Sequence, residues 1–352
     1  MKQYGGRSAL LGIACVVVLV GIVVAVIFVV SPKAPPAAAP TPSAARPTTS
    51  PSAASTAASA SPGSDVFPGG LYVEAGTSAD DAANRLVQEG QKSAAALVNR
   101  ISSQPTAIWL GEWVTGPALS KLLAQHVAAA KAEGTTLVFV TYAIPNRDCG
   151  GYSKGGLTYD SYLDWNRTIA AALAGTKAVV LIEPDSLSML SSAKCGIEAI
   201  KRIPLINKAV DILDGAGLTT YLDGGNSRWH SPNTQSKVLK EAGIDRAHGF
   251  FTNVSNFNTL QQERNYAGKL SGLVGDKHYV VDVSRSGKGW QGDWCNPQGA
   301  GLGPNPRATP NDGRLDAELW VKHPGVSDGT CNGGPAAGAW WEQYALDLVR
   351  NG

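Results

Sequence analysis

Asp148, Asp185, Asp223, Asp282 and Asp328 each fall at or just beyond the end of a short apolar run. The clearest case is VVLIEPDSL, Val179 to Leu187. Its β-branched apolar start predicts a buried strand. Pro184 cannot donate to a sheet ladder and restricts Glu183 before it, so the strand must stop there. Asp185 is then an acid held at a strand end, the rim where parallel α/β folds do their chemistry. A lone Asp in this setting serves equally well as a helix cap, but here the pattern repeats along the chain. Acids gathered on one rim raise one another's proton affinity unless cations intervene. Arg147, Arg285 and Lys322 lie beside them in sequence, and Trp109, Tyr142, Trp229, Trp294 and Trp320 are interleaved. Aromatic rings stack on the C–H faces of pyranose rings, while acids bond hydroxyls and protonate a glycosidic oxygen. The set points to chemistry on a sugar polymer.

These residues need a frame. Ser78 with Asp81 has the spacing of a capping box, opening a helix to about Ile101. AIWL from Ala107 predicts the first strand, and Pro117 starts a helix whose apolar face includes Leu119, Leu123 and Val127. His126 on that face reads as a partly covered helix residue. Further strands are expected at Thr136–Tyr142, Ala178–Glu183, Thr219–Asp223, Gly249–Asn253, Tyr279–Val283 and Glu318–Val321, with helices between them and a closing helix near Trp340–Val349. Seven short strands alternating with helices predict an α/β fold with a parallel sheet and right-handed crossovers. That is one strand short of a (β/α)8 barrel, so a distorted or partly open seven-stranded (β/α) barrel is expected.

The 352-residue chain divides into three parts by composition. Residues 1–30 hold an almost unbroken apolar run, Ala9 to Val30. It is about 22 residues long, roughly 33 Å as a helix and enough to span a bilayer. Lys2 and Arg7 precede it, so an uncleaved signal-anchor with a cytoplasmic N-terminus is expected, a cleaved signal peptide being the alternative. Either way the bulk of the chain is expected outside the cytoplasm, at the membrane's outer face or secreted. Residues 31–66 are rich in Ala, Pro, Ser and Thr and read as an unstructured tether. Residues 67–352 suit one large domain. A net charge of only +2 gives no reason to expect a nucleic-acid partner. Of the 5 cysteines, Cys15 lies in the apolar run. The other four, in an oxidising compartment, point to two disulfides. Three pairings are possible, of which Cys149–Cys195 with Cys295–Cys331 closes two moderate loops. With no C-x-x-C and no histidine pair at ligand spacing, neither a zinc site nor any other metal or cofactor is expected.

A series of segments then carries a family resemblance: YAIPNRDCGGYSKGG from Tyr142, IEPDSL from Ile182, YLDGGNSRWHSP from Tyr221, VDVSRSGKG from Val281, GDWCNPQGAG from Gly292 and WVKHPGVSDGTC from Trp320. Together and in this order they resemble glycoside hydrolase family 6, the inverting β-1,4-glucanases and cellobiohydrolases, across essentially all of 67–352. The resemblance implies a monomer with a distorted barrel that cleaves cellulose-like β-1,4-glucan. Position by position, it implies Asp185 as general acid. Asp148 resembles the carboxylate that raises the acid's pKa and places water, and Asp328 the proposed base, with a water relay as the other reading of that step. Asp223 and Asn226 resemble substrate contacts, as do Lys322 and the loop serine Ser153. Tyr142 resembles the residue that crowds the reacting sugar. Trp109, Trp229 and Trp294 resemble sugar platforms, and Arg147, Asp282 and Arg285 an electrostatic scaffold. One departure stands out: Val326 occupies a position where the family resemblance leads one to expect a Glu contacting the sugar. Loss of that partner costs on the order of 1–3 kcal/mol in substrate stabilisation.

Other motifs carry less. Gly151, Ser153 and Gly155 fit G-x-S-x-G, but a nucleophile elbow needs a strand running straight into the first Gly and a helix directly after. Gly287, Gly289 and Gly292 fit G-x-G-x-x-G, but loop residues follow where a nucleotide site needs a helix. A non-catalytic, anchored glucan-binding protein would keep the aromatics and tolerate Val326, but has no need of Asp148, Asp185 and Asp328. Between Trp229 and Asp282 there is no long insertion to roof a tunnel, so an open cleft and endo action are expected, with exo action as the alternative.

Overall fold

The computed structural model describes residues 66–196 and 198–352. The apolar run Ala9–Val30 and nearly all of the tether lie outside them. Among the described residues no helix is long and apolar enough to cross a membrane.

The elements run α1 (Ser78–Gln88), α2 (Lys92–Ser102), β1 (Ile108–Gly111), α3 (Gly116–Glu133), β2 (Val138–Tyr142), α4 (Tyr159–Leu173), β3 (Val179–Ile182), α5 (Glu198–Asp214), β4 (Thr219–Asp223), α6 (Pro232–Ala242), β5 (Gly249–Thr252), α7 (Leu260–Leu273), β6 (His278–Asp282), β7 (Arg307–Ala308), β8 (Leu315–Leu319) and α8 (Glu342–Asn351). The sheet order is β1-β2-β3-β4-β5-β6-β8-β7. All pairs are parallel except β7 with β8, which is antiparallel. The eighth strand, absent from the sequence expectation, is β7. It is only two residues long and sits in the Gly/Pro loop, too short for periodicity to register.

The expected single helix over 78–101 is two helices, separated at Gly90, whose φ is 77°. The capping box is also one residue earlier than expected. Thr77 caps through its side chain, and Asp80 bonds back to the Thr77 backbone. β8 begins at Leu315, upstream of the expected Glu318.

Strand alternation sorts side chains into two cores. Val179 and Leu181 of β3 point into an inner core with Val138, Val140, Tyr221, Phe251, Val280 and Leu319. Val180 and Ile182 point the other way, into the layer covered by helices. Phe67, fully buried, packs into the inner core. Each such side chain contributes roughly 1.5–3 kcal/mol by leaving water.

The sheet curls but β1 and β8 are not paired as strands. A few bonds cross this seam instead. Ala107 N donates to Trp320 O at 3.0 Å, and Trp109 Nε1 donates to Val321 O at 2.8 Å. His323 Nε2 lies 2.7 Å from Ala107 O. The seam leaves room for a groove at the carboxyl end of the strands.

Candidate active site

A cleft of about 690 Å³ lies at that end. Asp148, Asp185 and Asp328 all line it, with Trp109, Tyr142, Arg147, Ser153, Trp294, Lys322 and Val326. These acids come from three separated loops, and the folding of each loop explains its placement.

Asp148 follows β2 in a tight 3-10 turn. Asn146, Asp148 and Cys149 all have left-handed backbone, with φ of 52°, 57° and 47°. The loop is held in several ways. Cys149 is bonded to Cys195. Ser153 donates to Asp148 Oδ2 from its backbone N at 2.8 Å and its hydroxyl at 3.0 Å. A Cβ at Gly151 would meet Asp148 Oδ2 at 2.3 Å, so only glycine lets the chain pass so close. The Ser153 hydroxyl also lies 2.9 Å from the Tyr142 hydroxyl. Ser153 is thus a bridge between acid and tyrosine. Helix α4 begins only at Tyr159, so no nucleophile elbow forms.

Asp185 follows β3. Glu183 and Asp185 have φ of 50° and 68°, a left-handed pair flanking Pro184. Such positions cost on the order of 1–3 kcal/mol unless the surroundings enforce them. Here Glu183 is fully buried, and its carboxylate accepts the N–H groups of Ala143 and Ile144 at 3.0–3.1 Å. This clasp fixes the β3 end to the start of the Asp148 loop. Burial pushes the Glu183 carboxyl up to about 7, against the hydrogen bonds that favour its charge.

Asp185 shows part of its surface to the cleft but is otherwise enclosed by protein. Its pKa is held well above the usual carboxylate range, first by burial, then by the charges of Asp223, Asp148 and Asp328, with Lys322 opposing. The expected role of Asp148 in raising that pKa therefore ranks behind desolvation and behind Asp223.

Asp328 is the opposite case. Arg285 Nη1 donates to its Oδ2 at 2.7 Å, Lys322 Nζ lies 3.1 Å from Oδ1, and Asn296 N donates at 3.0 Å. Burial pushes its carboxyl up, but Arg285 and Lys322 outweigh this and hold it below the usual range. The second disulfide, Cys295–Cys331, ties the Asn296 segment to the Asp328 loop.

Several expected site residues lie elsewhere. Asp223 is buried and outside the cleft. It accepts the backbone N–H groups of Leu187, Ser188 and Gly225, and so braces the segment after Asp185 from behind. Asn226 is buried too, accepting Arg228 N and the Asn258 amide. Asp282 makes no direct ion pair with Arg285, although each charge favours the other through space, as expected of a scaffold. Its carboxylate accepts Ser284 N and Lys322 N at 2.9 Å each, fastening the ends of β6 and β8. Arg147 pairs with Glu112 and stacks 4.4 Å over the Tyr142 ring. Trp229 lies outside the cleft, stacked on His230 with ring centroids 5.9 Å apart. Trp320, expected on the rim, is buried, and its indole N–H bonds Pro304 O.

Trp113 and Tyr152 were not anticipated. They are 60% and 50% exposed and line the cleft, and Trp294 is 49% exposed beside Tyr152 with ring centroids 6.3 Å apart. Glu112 and Trp113 directly follow β1, so the strand-end rule applied to that strand would have found them.

The profile of Glycosyl hydrolases family 6 matches residues 70–352. Endoglucanase A of Cellulomonas fimi is 38% identical over 282 residues, 80% of this chain and 61% of its own length, so the chain spans about three fifths of that relative. Exoglucanase 2 of Hypocrea jecorina is 31% identical over 323 residues, 74% of this chain and 68% of its own. Among solved structures, an endoglucanase from Mycobacterium tuberculosis in complex with methyl-cellobiosyl-4-deoxy-4-thio-β-D-cellobioside superposes with a TM-score of 0.75 at 36% identity, covering 80% of this chain and 96% of that one. The chain belongs to family 6 of the glycosyl hydrolases.

Proposed function

We propose that this chain is an endo-β-1,4-glucanase that hydrolyses cellulose-like glucan with inversion. One observation carries the reading: three acids, Asp148, Asp185 and Asp328, meet in one aromatic-lined cleft, with Asp185 raised and Asp328 lowered in proton affinity. Inversion needs a protonated acid on one side of the bond and a water on the other. Asp185, held protonated by burial and its acidic neighbours, is the donor to the leaving oxygen. Asp148, bridged through Ser153 to Tyr142, orients the attacking water. Asp328 shares its charge with Arg285 and Lys322, and a carboxylate so stabilised is a weak base. Its part is to hold Lys322 and the cleft wall in place, while the water's proton leaves through solvent. Trp113, Tyr152 and Trp294 offer ring faces to successive sugars. Val326 leaves an apolar wall where a carboxylate would bond a hydroxyl, and favours weak binding at that position. The N-terminal apolar run would hold a monomeric enzyme at the outer face of the membrane.

The test is proton NMR on cello-oligosaccharides with viscometry on carboxymethyl-cellulose. The expected first product is the α anomer, with viscosity falling early relative to reducing ends. A β-anomeric first product defeats inversion. Slow viscosity loss per cut favours the exo reading, for which the likeness to an exoglucanase leaves room. Binding to cellulose with no sugar released would leave only a glucan-binding role.

A further inference from the structure

The opposite end of the barrel carries a second cluster of polar side chains. His248 immediately precedes β5, His278 opens β6, and Asp316 lies within β8. His248 Nε2 is 3.0 Å from Asp316 Oδ2, and His278 Nδ1 is 2.8 Å from Asp316 Oδ1. One ligand-capable atom from each of the three lies within 4.8 Å of the others. The two imidazole rings are 5.1 Å apart, tilted at 48°.

We infer that His248, His278 and Asp316 form a binding site for a divalent first-row cation, zinc above all, that fastens β5, β6 and β8 at the end of the barrel remote from the cleft. Three features support this, besides the ligand types. First, the sheet is broken to aim the carboxylate. Tyr279 pairs with Leu315 and Val280 with Ala317, so Asp316 is the extra residue of a β-bulge. Bulges re-aim a side chain at a cost in ladder pairing. Second, the carboxylate is oriented by an outer partner. The buried Tyr221 hydroxyl donates to Asp316 Oδ2 at 2.6 Å, the arrangement that sets a metal-binding carboxylate in place. Third, access is right. The Asp316 side chain is 9% exposed while those of His248 and His278 are 33% and 41% exposed, leaving a solvent side for ion entry and for a water as fourth ligand.

The spacing suits the ion. Bonds near 2.0–2.1 Å to nitrogen and oxygen in a tetrahedron put donor atoms roughly 3.3 Å apart. The separations of 2.8 and 3.0 Å run to the two different Asp316 oxygens and need to open only slightly, while the widest of the three, within 4.8 Å, needs to close as the part-exposed imidazoles turn inward. On binding, each neutral imidazole carries its hydrogen on the other ring nitrogen, and the freed lone pair faces the ion. Two imidazoles and one carboxylate match zinc, cobalt and nickel better than calcium or magnesium, which take oxygen. Ligands so far apart in sequence leave no spacing motif.

The test uses the full chain, made without a polyhistidine tag, in calorimetric titration with zinc chloride and in thermal melting with zinc or EDTA. One zinc per chain is expected, with a higher melting temperature that EDTA reverses and an unchanged rate on carboxymethyl-cellulose. His278→Gln, at a half-exposed position, should fold normally and bind at least 100-fold more weakly. Tyr221→Phe should weaken binding about 10- to 100-fold, as losses of outer partners do. His230→Gln, remote from the cluster, should bind as the parent does. No zinc uptake at millimolar zinc, or uptake undiminished in His278→Gln, would overturn the site.

Discussion

Replacing Asp185 by Asn should lower kcat on cellopentaose by on the order of 10²–10⁴-fold, the usual worth of a positioned general acid. The side chain keeps its shape, so KM should change little. The loss should be far smaller on an aryl cellobioside whose phenolate leaves without a proton. Equal losses on both substrates would remove Asp185 from the donor role. The pH profile adds a second reading of the same group. Activity needs Asp185 protonated, so the rate falls as pH rises through its folded pKa. That pKa is raised by burial first and by the Asp223 charge next. Asp223→Asn should therefore move the alkaline limb of kcat/KM to lower pH, although Asp223 lies outside the cleft. A limb that stays in place would mean that the backbone bonds of Asp223 are its whole contribution.

Arg285→Met should destabilise the chain by about 3–5 kcal/mol, the cost of stripping one partner from a buried ion pair. The Arg285 side chain is wholly inaccessible and its Asp328 partner 4% exposed. Arg285 also donates to Ser255 O and lies 4.0 Å over the Phe257 ring. Methionine fills much of the volume, so the loss reports charge more than packing. Among the described residues Asp328 would keep only Lys322 as a paired cation. Its folded pKa is depressed, so its stabilising contribution is present above the unfolded value near 3.9 and is lost as pH falls through the folded one. The gap between parent and variant in urea unfolding should accordingly be widest at neutral pH and narrow in acid, where the stranded carboxyl protonates. A neutral-pH difference under about 1 kcal/mol would put the pair in the class of exposed salt bridges and defeat the argument.

The same wiring explains why some of the candidate site was legible in sequence and some was not. Asp148, Asp185 and Asp328 reach the cleft because each sits on a turn at the carboxyl edge of the sheet, and turns announce themselves through Pro, Gly and short apolar runs. Asp223 and Asp282 have the same announcement, yet they face inward and hold backbone N–H groups. A residue or two of turn geometry decides which way such a side chain faces, and periodicity does not encode it. Thr77 with Asp80 and Ser78 with Asp81 both fit a capping box, and the approach of the chain to α1 chose the first.

The sequence by itself determined the alternation of strands and helices, the rim that carries the acids, and the aromatic and disulfide-forming residues around it. Those are local matters of side-chain shape, backbone freedom and burial. Only the tertiary structure decided that Arg285 pairs directly with Asp328, that Glu183 clasps the β2 loop, and that His248, His278 and Asp316 meet below the barrel. Each of those depends on residues tens of positions apart brought within bonding reach. The proton held by Asp185 depends on the same thing, because desolvation and charge act through space and not along the chain.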